Sequence, residues 1–255
     1  MLILGVDTSG KNGSIALVRF AEEQAHTLDI VALEGGTFSA QLVPQISALL
    51  AKHSLTKRDV DGFAVASGPG SFTGLRVGLA AVKALAEILQ KPIATVSVLE
   101  TIASEITLAA SMADEKSHVS YRCLVVLDAH RNEVFVGEYE LGGDLADLRY
   151  GPLPVAILIS ESLRTFDELV EIANELGHSR DILTPDSNLI DYMKPRMRDP
   201  FLSNIKSVSR PDASSIARAG WKKIRSGETV APEALDATYI RRSDAEIMRS
   251  SRTPK

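Results

Sequence analysis

An α/β fold in two subdomains, each a mixed sheet flanked by helices, is the architecture this sequence predicts. Three observations point to it. Short runs rich in Ile, Val and Leu are interleaved with stretches of helical periodicity. The first three apolar runs follow one another with no helix between them, whereas each of the next two is preceded by one. After about residue 100 a similar succession starts again, less cleanly.

Leu2–Val6, Ser14–Phe20 and Leu28–Leu33 read as three strands of a hairpin meander, separated by "DTSGKNG" and by the polar "AEEQAH". The Gly, Asn and Ser of the first segment suit a tight turn. Ser39–His53 is helical, with Leu42, Val43, Ile46, Leu49 and Leu50 on one face and Thr37 or Ser39 as cap. Pro44 lies one turn inside, where it is expected to bend the helix. Thr56 is a second cap, ahead of "KRDVDG". Phe63–Ala66 is a short buried strand, Phe72–Leu89 a helix stopped before Pro92, and Ile93–Val98 another strand.

The second subdomain begins with a helix at Leu99–Met112. Arg122–Leu127 and Glu133–Leu141 form a hairpin across "DAHRN". Helices follow at Ser162–Leu176 and at Ser214–Ile224 behind the "RPDASS" cap, with Ile182–Leu183 a short strand between them and "GGD" and "YGPLP" as loops. The expected division is residues 1–99, residues 100–225, and an extended basic tail over 226–255. The order β-β-β-α-β-α-β differs from the βαβαβ of a dinucleotide-binding half. It is the plan of the actin, sugar-kinase and acetate-kinase (ASKHA) core, in which two strand-turn segments face a cleft between the subdomains.

Composition narrows the functions. The 255 residues are 45% hydrophobic and 24% charged, an ordinary globular balance with enough chain for a sizeable core. The single cysteine, Cys123, excludes an intramolecular disulfide and a cysteine-rich zinc site. With no secretory leader and no membrane-length apolar stretch, a reducing cytoplasmic setting away from membranes is expected. The net charge of −5 argues against strong nucleic-acid binding by the chain itself. From Arg218 onward, however, nine Lys or Arg face five Asp or Glu, which makes a basic end on an acidic body.

Two segments carry candidate chemistry. "GVDTSGKNGSIALV" puts Asp7, Thr8 and Ser9 in the first hairpin turn, either facing a phosphate and its hydrated Mg²⁺ or forming an Asx-type turn. "SGPGSFTGLRVG" spaces Gly68, Gly70 and Gly74 as G-x-G-x-x-x-G and lacks the Gly-Lys-Ser/Thr of a Walker loop. Gly70, Ser71 and Thr73 at the helix start are candidates to face an anion, or else make a sharp turn capped by Ser71. Further along, Gly74, Gly78, Ala81 and Leu85 recur at i, i+4, i+7 and i+11. That stripe implies close approach of another backbone, either within the domain or across a subunit interface. The five histidines make no H-x-x-x-H pair, no G-x-S-x-G is present, and Cys123 reads as a buried hydrophobe. No catalytic residue and no metal ligand is assigned. Asp128, His130 and Arg131 form the one remaining polar cluster, in the second hairpin turn.

Four segments, "LGVDTSGKNGSIAL", "SGPGSFTGLRVG", "DAHRNEVFVGEYE" and "YIRRSDAE", resemble in order and spacing the bacterial TsaB (YeaZ) family. The resemblance implies the actin-like two-subdomain fold and a non-catalytic scaffold subunit. Such a subunit pairs with the catalytic paralogue TsaD, is joined by the ATPase TsaE, and is a homodimer when alone. Together they place threonylcarbamoyl on the adenosine beside the anticodon of tRNAs reading codons that begin with A. The two helices Ser39–His53 and Phe72–Leu89 would form the partner face, with Leu42, Ile46, Gly74, Gly78, Ala81 and Leu85 as contact residues. No tightly bound cofactor is implied, and ATP or ADP with Mg at the partner interface is the candidate ligand. Phe38, His130 with Arg131, and Phe135 depart from the residues usual in the family. The alternative is an ATP-dependent phosphotransferase or ATPase acting alone through Asp7 and the Gly70–Thr73 turn.

Overall fold

The computed structural model describes residues 1–22, 24–113, 121–142, 155–175, 180–198 and 201–237. In its first half, β1 (Leu2–Asp7), β2 (Gly13–Ala21) and β3 (Gln24–Leu33) form an antiparallel meander. Helix α1 (Phe38–Lys52) leads to β4 (Gly62–Gly68), and α2 (Phe72–Leu89) to β5 (Ile93–Ser97). Both crossovers return the chain parallel to its neighbour, so the sheet order is β3-β2-β1-β4-β5. All six residues of β1 are buried, because this central strand is covered on both faces.

Helix α3 (Val98–Ala113) opens the second half. β6 (Tyr121–His130), β7 (Glu133–Gly142) and β8 (Val155–Thr165) form a second meander. After α4 (Phe166–Glu175), β9 (Asp181–Thr184) lies parallel to β6. After α5 (Ser187–Met193), β10 (Ile205–Ser207) lies parallel to β9. The order β8-β7-β6-β9-β10 repeats the connectivity of the first sheet strand for strand.

Most expected elements lie within two residues of their observed bounds, and helix Phe72–Leu89 coincides with its expectation. Pro44 is accommodated inside α1 without ending it, and Thr37 holds the cap position with no side-chain cap bond. Its hydroxyl donates to the Glu34 carbonyl instead, at 3.0 Å. The helix expected over Ser162–Leu176 needs correction. Residues 162–165 finish strand β8, paired with β7, and α4 begins only at Phe166. Strand β8 was hidden because its apolar residues run consecutively through Ala156–Ile159, and Glu161 breaks any alternation. The short α5 and β10 were also missing from the expectation. The "YGPLP" segment, His118, His178, the "YIRRSDAE" match and the tail beyond residue 237 lie outside the described residues.

Five layers result. On one face of the first sheet, Leu4, Val6, Ile15, Phe63 and Val65 meet Leu42, Ile46 and Leu49 of α1 and Leu75, Leu79 and Val82 of α2. The opposite face shares a core with α3, the inner face of the second sheet and α6 (Ala213–Ser226). The outer face of the second sheet is covered by α4 and α5 through Leu169, Leu189 and Met193. Helix α6 was expected to complete the second subdomain, but it packs on β1, β2, β4 and β5 of the first sheet. Its contact is tight. A Cβ on Gly5 would lie 2.1 Å from the Ala213 carbonyl oxygen, and Trp221 stacks on Phe20 with ring centroids 4.5 Å apart. Asp212 caps α6, accepting from the Ser214 and Ser215 amides, and Gly227 ends it at φ +83°.

Cys123 sits in the shared core with no exposed surface. Burial, and secondarily the Asp181 charge, pushes its thiol up to about 12. The thiol therefore stays protonated at pH 8, and a thiol-reactive chromogenic disulfide is expected to label none of the native chain and one thiol in denaturant. Stoichiometric labelling in native buffer would contradict this burial.

Candidate functional site

The ends of β1, β4, β6 and β9 converge on an open cleft of about 1750 Å³. The first half contributes the hairpin turn Ser9–Asn12, residues 34–36 with Phe38 and Ser39 at the start of α1, and the Pro69–Val77 turn and helix start. The second half contributes the hairpin turn Leu127–Arg131, together with Phe135, Asp186 and Arg210.

The first hairpin turn is stabilised from within. Asp7 is buried, and its Oδ1 accepts the Ser9 amide at 2.8 Å, the i to i+2 bond of an Asx-turn. The Thr8 hydroxyl, also buried, donates to the Gly74 carbonyl at 2.7 Å. The Ser9 carbonyl accepts the Ser71 amide at 2.7 Å. The turn is therefore bonded to the start of α2 at two points. At the other side Gly68 holds φ +125°, a backbone conformation that L side chains rarely adopt, as the chain leaves β4. Ser71 caps α2 by accepting the Gly74 amide at 3.3 Å.

The second hairpin uses the same device. Asp128 Oδ1 accepts the His130 amide at 2.7 Å, and its Oδ2 accepts from Asn188 Nδ2. Asp186 in turn accepts the Asp128 amide at 2.7 Å. His130, Arg131 and Asn132 all take positive φ, so this turn is left-handed throughout. The carboxylates of Asp128 and Asp186 thus build the turn.

The candidate anion-facing residues thus separate. Ser9, Gly70, Ser71 and Thr73 line the cleft. Asp7 and Thr8 are not among its lining residues: Thr8 donates to the Gly74 carbonyl, and Asp7 accepts the Ser9 amide at Oδ1. The candidate partner residues separate further. A Cβ on Gly74 would lie 2.1 Å from the Thr8 carbonyl oxygen, and one on Gly78 would lie 2.4 Å from Thr8 Oγ1. What approaches Gly74 and Gly78 is therefore the chain's own hairpin turn at Thr8. Leu42 and Ile46 are core residues, and Ala81 and Leu85 pack partly against the same core. Leu42, Ile46, Gly74 and Gly78 are buried, while Ala81 and Leu85 are half-buried along α2.

The exposed positions of the helix pair belong to other residues. Along α2, Phe72, Arg76, Ala80, Ala84 and Ile88 are exposed at successive i+4 positions. Ile88 is 78% exposed, and Arg76 lies over the Phe72 ring at 3.7 Å. Alongside it, α1 shows Ala40, Val43, Pro44, Ser47, Ala48 and Ala51 to solvent and carries no charge from Phe38 to Ala51. Arg210, the other residue the sequence reading missed, reaches the cleft from just before α6. Its signal in the sequence was only its place as the first residue of the "RPDASS" cap segment.

Among the described residues no three His, Cys, Asp or Glu gather as metal ligands, and no helix is long and apolar enough to cross a membrane. Two sheets of identical connectivity, each a meander followed by two parallel crossovers, with a cleft at the ends of their central strands, define a protein of the actin-like class. Residues 33–226 match the model of the family described as TsaD: tRNA N6-adenosine threonylcarbamoyltransferase. The chain belongs to this family, on its TsaB (YeaZ) branch. The tRNA threonylcarbamoyladenosine biosynthesis protein TsaB of Bacillus subtilis is 31% identical over 147 residues, 58% of each chain, so the match spans little more than half of that relative. Escherichia coli TsaB is 29% identical over 251 residues, 96% of each chain. A crystal structure of a Pseudomonas aeruginosa protein with similarity to peptidase YEAZ shares the fold. Its TM-score is 0.69 at 24% identity, over 94% of this chain and 99% of that one.

Proposed function

We propose that this chain is a scaffold and activating subunit for the synthesis of N6-threonylcarbamoyladenosine beside the anticodon of tRNAs reading codons that begin with A. In this reading it pairs in the cytoplasm with the catalytic paralogue TsaD, works with the ATPase TsaE, and meets tRNA through the assembled complex. Alone it uses the same face to form a homodimer. The observation that carries the proposal is the uncharged outer face of α1 lying beside the i+4 row of α2, which is apolar except for Arg76. A solvent-facing helix pair of this composition is an interface in want of a partner, and its small Ala80 and Ala84 let another helix come close. Family membership supplies the pathway and the paralogue.

The phosphotransferase alternative assigned cation binding to Asp7. That carboxylate is buried, accepts the Ser9 amide at Oδ1 and is not among the cleft-lining residues, whereas the Gly70–Thr73 turn that the same alternative names does line the cleft, so the alternative has the weaker support. The test is a threonylcarbamoylation assay with TsaD, TsaE and tRNA, run with and without the purified chain. Product is expected only with the chain present, together with its copurification with TsaD. Equal product formation in its absence would reject the proposal.

A further inference from the structure

The turn that ends α5 presents cations on a fixed frame. Met193 and Met197 are buried in the core that joins the second sheet to α4 and α5. The Arg196 and Met197 amides both donate to the Met193 carbonyl at 2.9 Å. Asn174 of α4 pins the turn: its Oδ1 accepts the Arg198 amide at 2.9 Å, and its Nδ2 donates to the Arg196 carbonyl at 3.4 Å. With both methionines inward, Lys194, Arg196 and Arg198 are left exposed.

Elsewhere in the second half, Arg122, Arg180 and Lys206 are each paired with a carboxylate, that of Glu140, Glu138 and Asp181 respectively. Among the described residues no carboxylate closes an ion pair with Lys194, Arg196 or Arg198, although Glu171, Glu175 and Asp191 are exposed on α4 and α5. Arg196 lies over the Tyr192 ring at 3.9 Å, and its Nη1 donates to the Tyr192 carbonyl at 2.9 Å. That bond uses one of its five donors. The Tyr192 hydroxyl donates to Asp167 at 2.5 Å, so this α4 carboxylate is already occupied.

We propose that the Lys194–Arg198 turn, with Tyr192, is a contact for the phosphodiester backbone of RNA. Three cations within five residues, on a turn already closed by its own hydrogen bonds, match a chain of closely spaced anions at little ordering cost. The exposed Arg196 on its Tyr192 platform adds a planar face for an unpaired base, which favours RNA over an anionic membrane. The turn lies beyond the second sheet, whereas α1 and α2 lie beyond the first, so a protein seated on that helix pair leaves it open. The net charge of −5 keeps the contact modest in strength. The inference rests on the scaffold reading only in naming the RNA a tRNA.

Fluorescence anisotropy of a labelled tRNA transcript titrated with the full chain alone, at about 50 mM and about 200 mM salt, is the test. With no TsaD in the assay, its outcome is separate from that of the pairing experiments. The parent is expected to bind with a Kd of about 1 to 100 μM at the lower salt. Lys194→Gln/Arg196→Gln/Arg198→Gln should weaken binding about tenfold or more and lower the logarithmic salt slope by about two to three. Lys194→Glu with Arg198→Glu, which keeps the Arg196–Tyr192 stack, gives the readout if the triple variant does not fold. Arg19→Gln/Lys57→Gln/Arg58→Gln removes the same charge from exposed positions of the first half and should bind within about twofold of the parent. No saturable binding by the parent, unchanged binding by the turn variants, or an equal loss in the first-half variant would overturn the proposal. Sedimentation with phosphatidylserine vesicles that the turn variants abolish, without tRNA binding, would overturn it in favour of a membrane contact.

Discussion

Gly74→Ala is expected to destabilise the chain by about 3 kcal/mol, the upper range for overpacking a close-fitted site. For a chain of this size that corresponds to a melting temperature roughly 6–12 °C lower. The added methyl carbon would sit 2.1 Å from the Thr8 carbonyl oxygen, a backbone atom that cannot swing aside. Thr8 is itself fixed, because its hydroxyl donates back to the Gly74 carbonyl at 2.7 Å. Relief therefore requires the first hairpin turn and the start of α2 to part, which also strains the bond from the Ser71 amide to the Ser9 carbonyl. Gly78→Arg belongs with this experiment. Gly78 is buried against Thr8, so the variant should lose fold and pairing together. A thermal melt followed by circular dichroism checks both. A Gly74→Ala chain melting within a degree of the parent would show that the hairpin is not clamped to the helix.

Ala84→Arg combined with Ile88→Glu is expected to have the opposite signature. Both residues are exposed, so the isolated chain should melt within about 0.5 kcal/mol of the parent, as for ordinary surface changes. Pairing with TsaD should weaken about a hundredfold or more, because the long arginine stem fills the space beside the small Ala80, and an i, i+4 charge pair would have to be desolvated at the contact. Size-exclusion chromatography of the mixed proteins and calorimetry measure it. Pairing at parental affinity would move the interface away from the row Phe72, Arg76, Ala80, Ala84 and Ile88.

The contrast between these variants shows what the sequence could and could not disclose. Periodicity located α1, α2 and all five strands of the first sheet, because each is a separate apolar run bounded by turn residues. It also located the glycine stripe and understood it as a place of close approach. It could not tell what approached, since a glycine facing its own hairpin and one facing a partner leave the same mark in one chain. The outward row was legible only as the complement of the buried face, and alanines attract no notice there. Strand β8 was lost because its apolar residues are consecutive rather than alternating. At the cleft, Ser9, Gly70, Ser71 and Thr73 were found from turn chemistry. Arg210 was not, since 201 positions separate it from Ser9 in sequence, and only the folded chain sets them together.

Helix α6 has a consequence for how the molecule is made. The inner face of the first sheet carries Ile3, Val18, Phe20, Ala64 and Val96, and α6 covers it with residues numbered above 212. A ribosome therefore releases the whole first meander, both crossovers and most of the second sheet before the helix that seals the first has emerged. Until then the nascent chain holds an apolar sheet face open to water, a natural client surface for chaperones. A truncation ending near residue 99 would retain every strand of the first sheet and still lack its lid, so the two halves of this protein mature together rather than in turn.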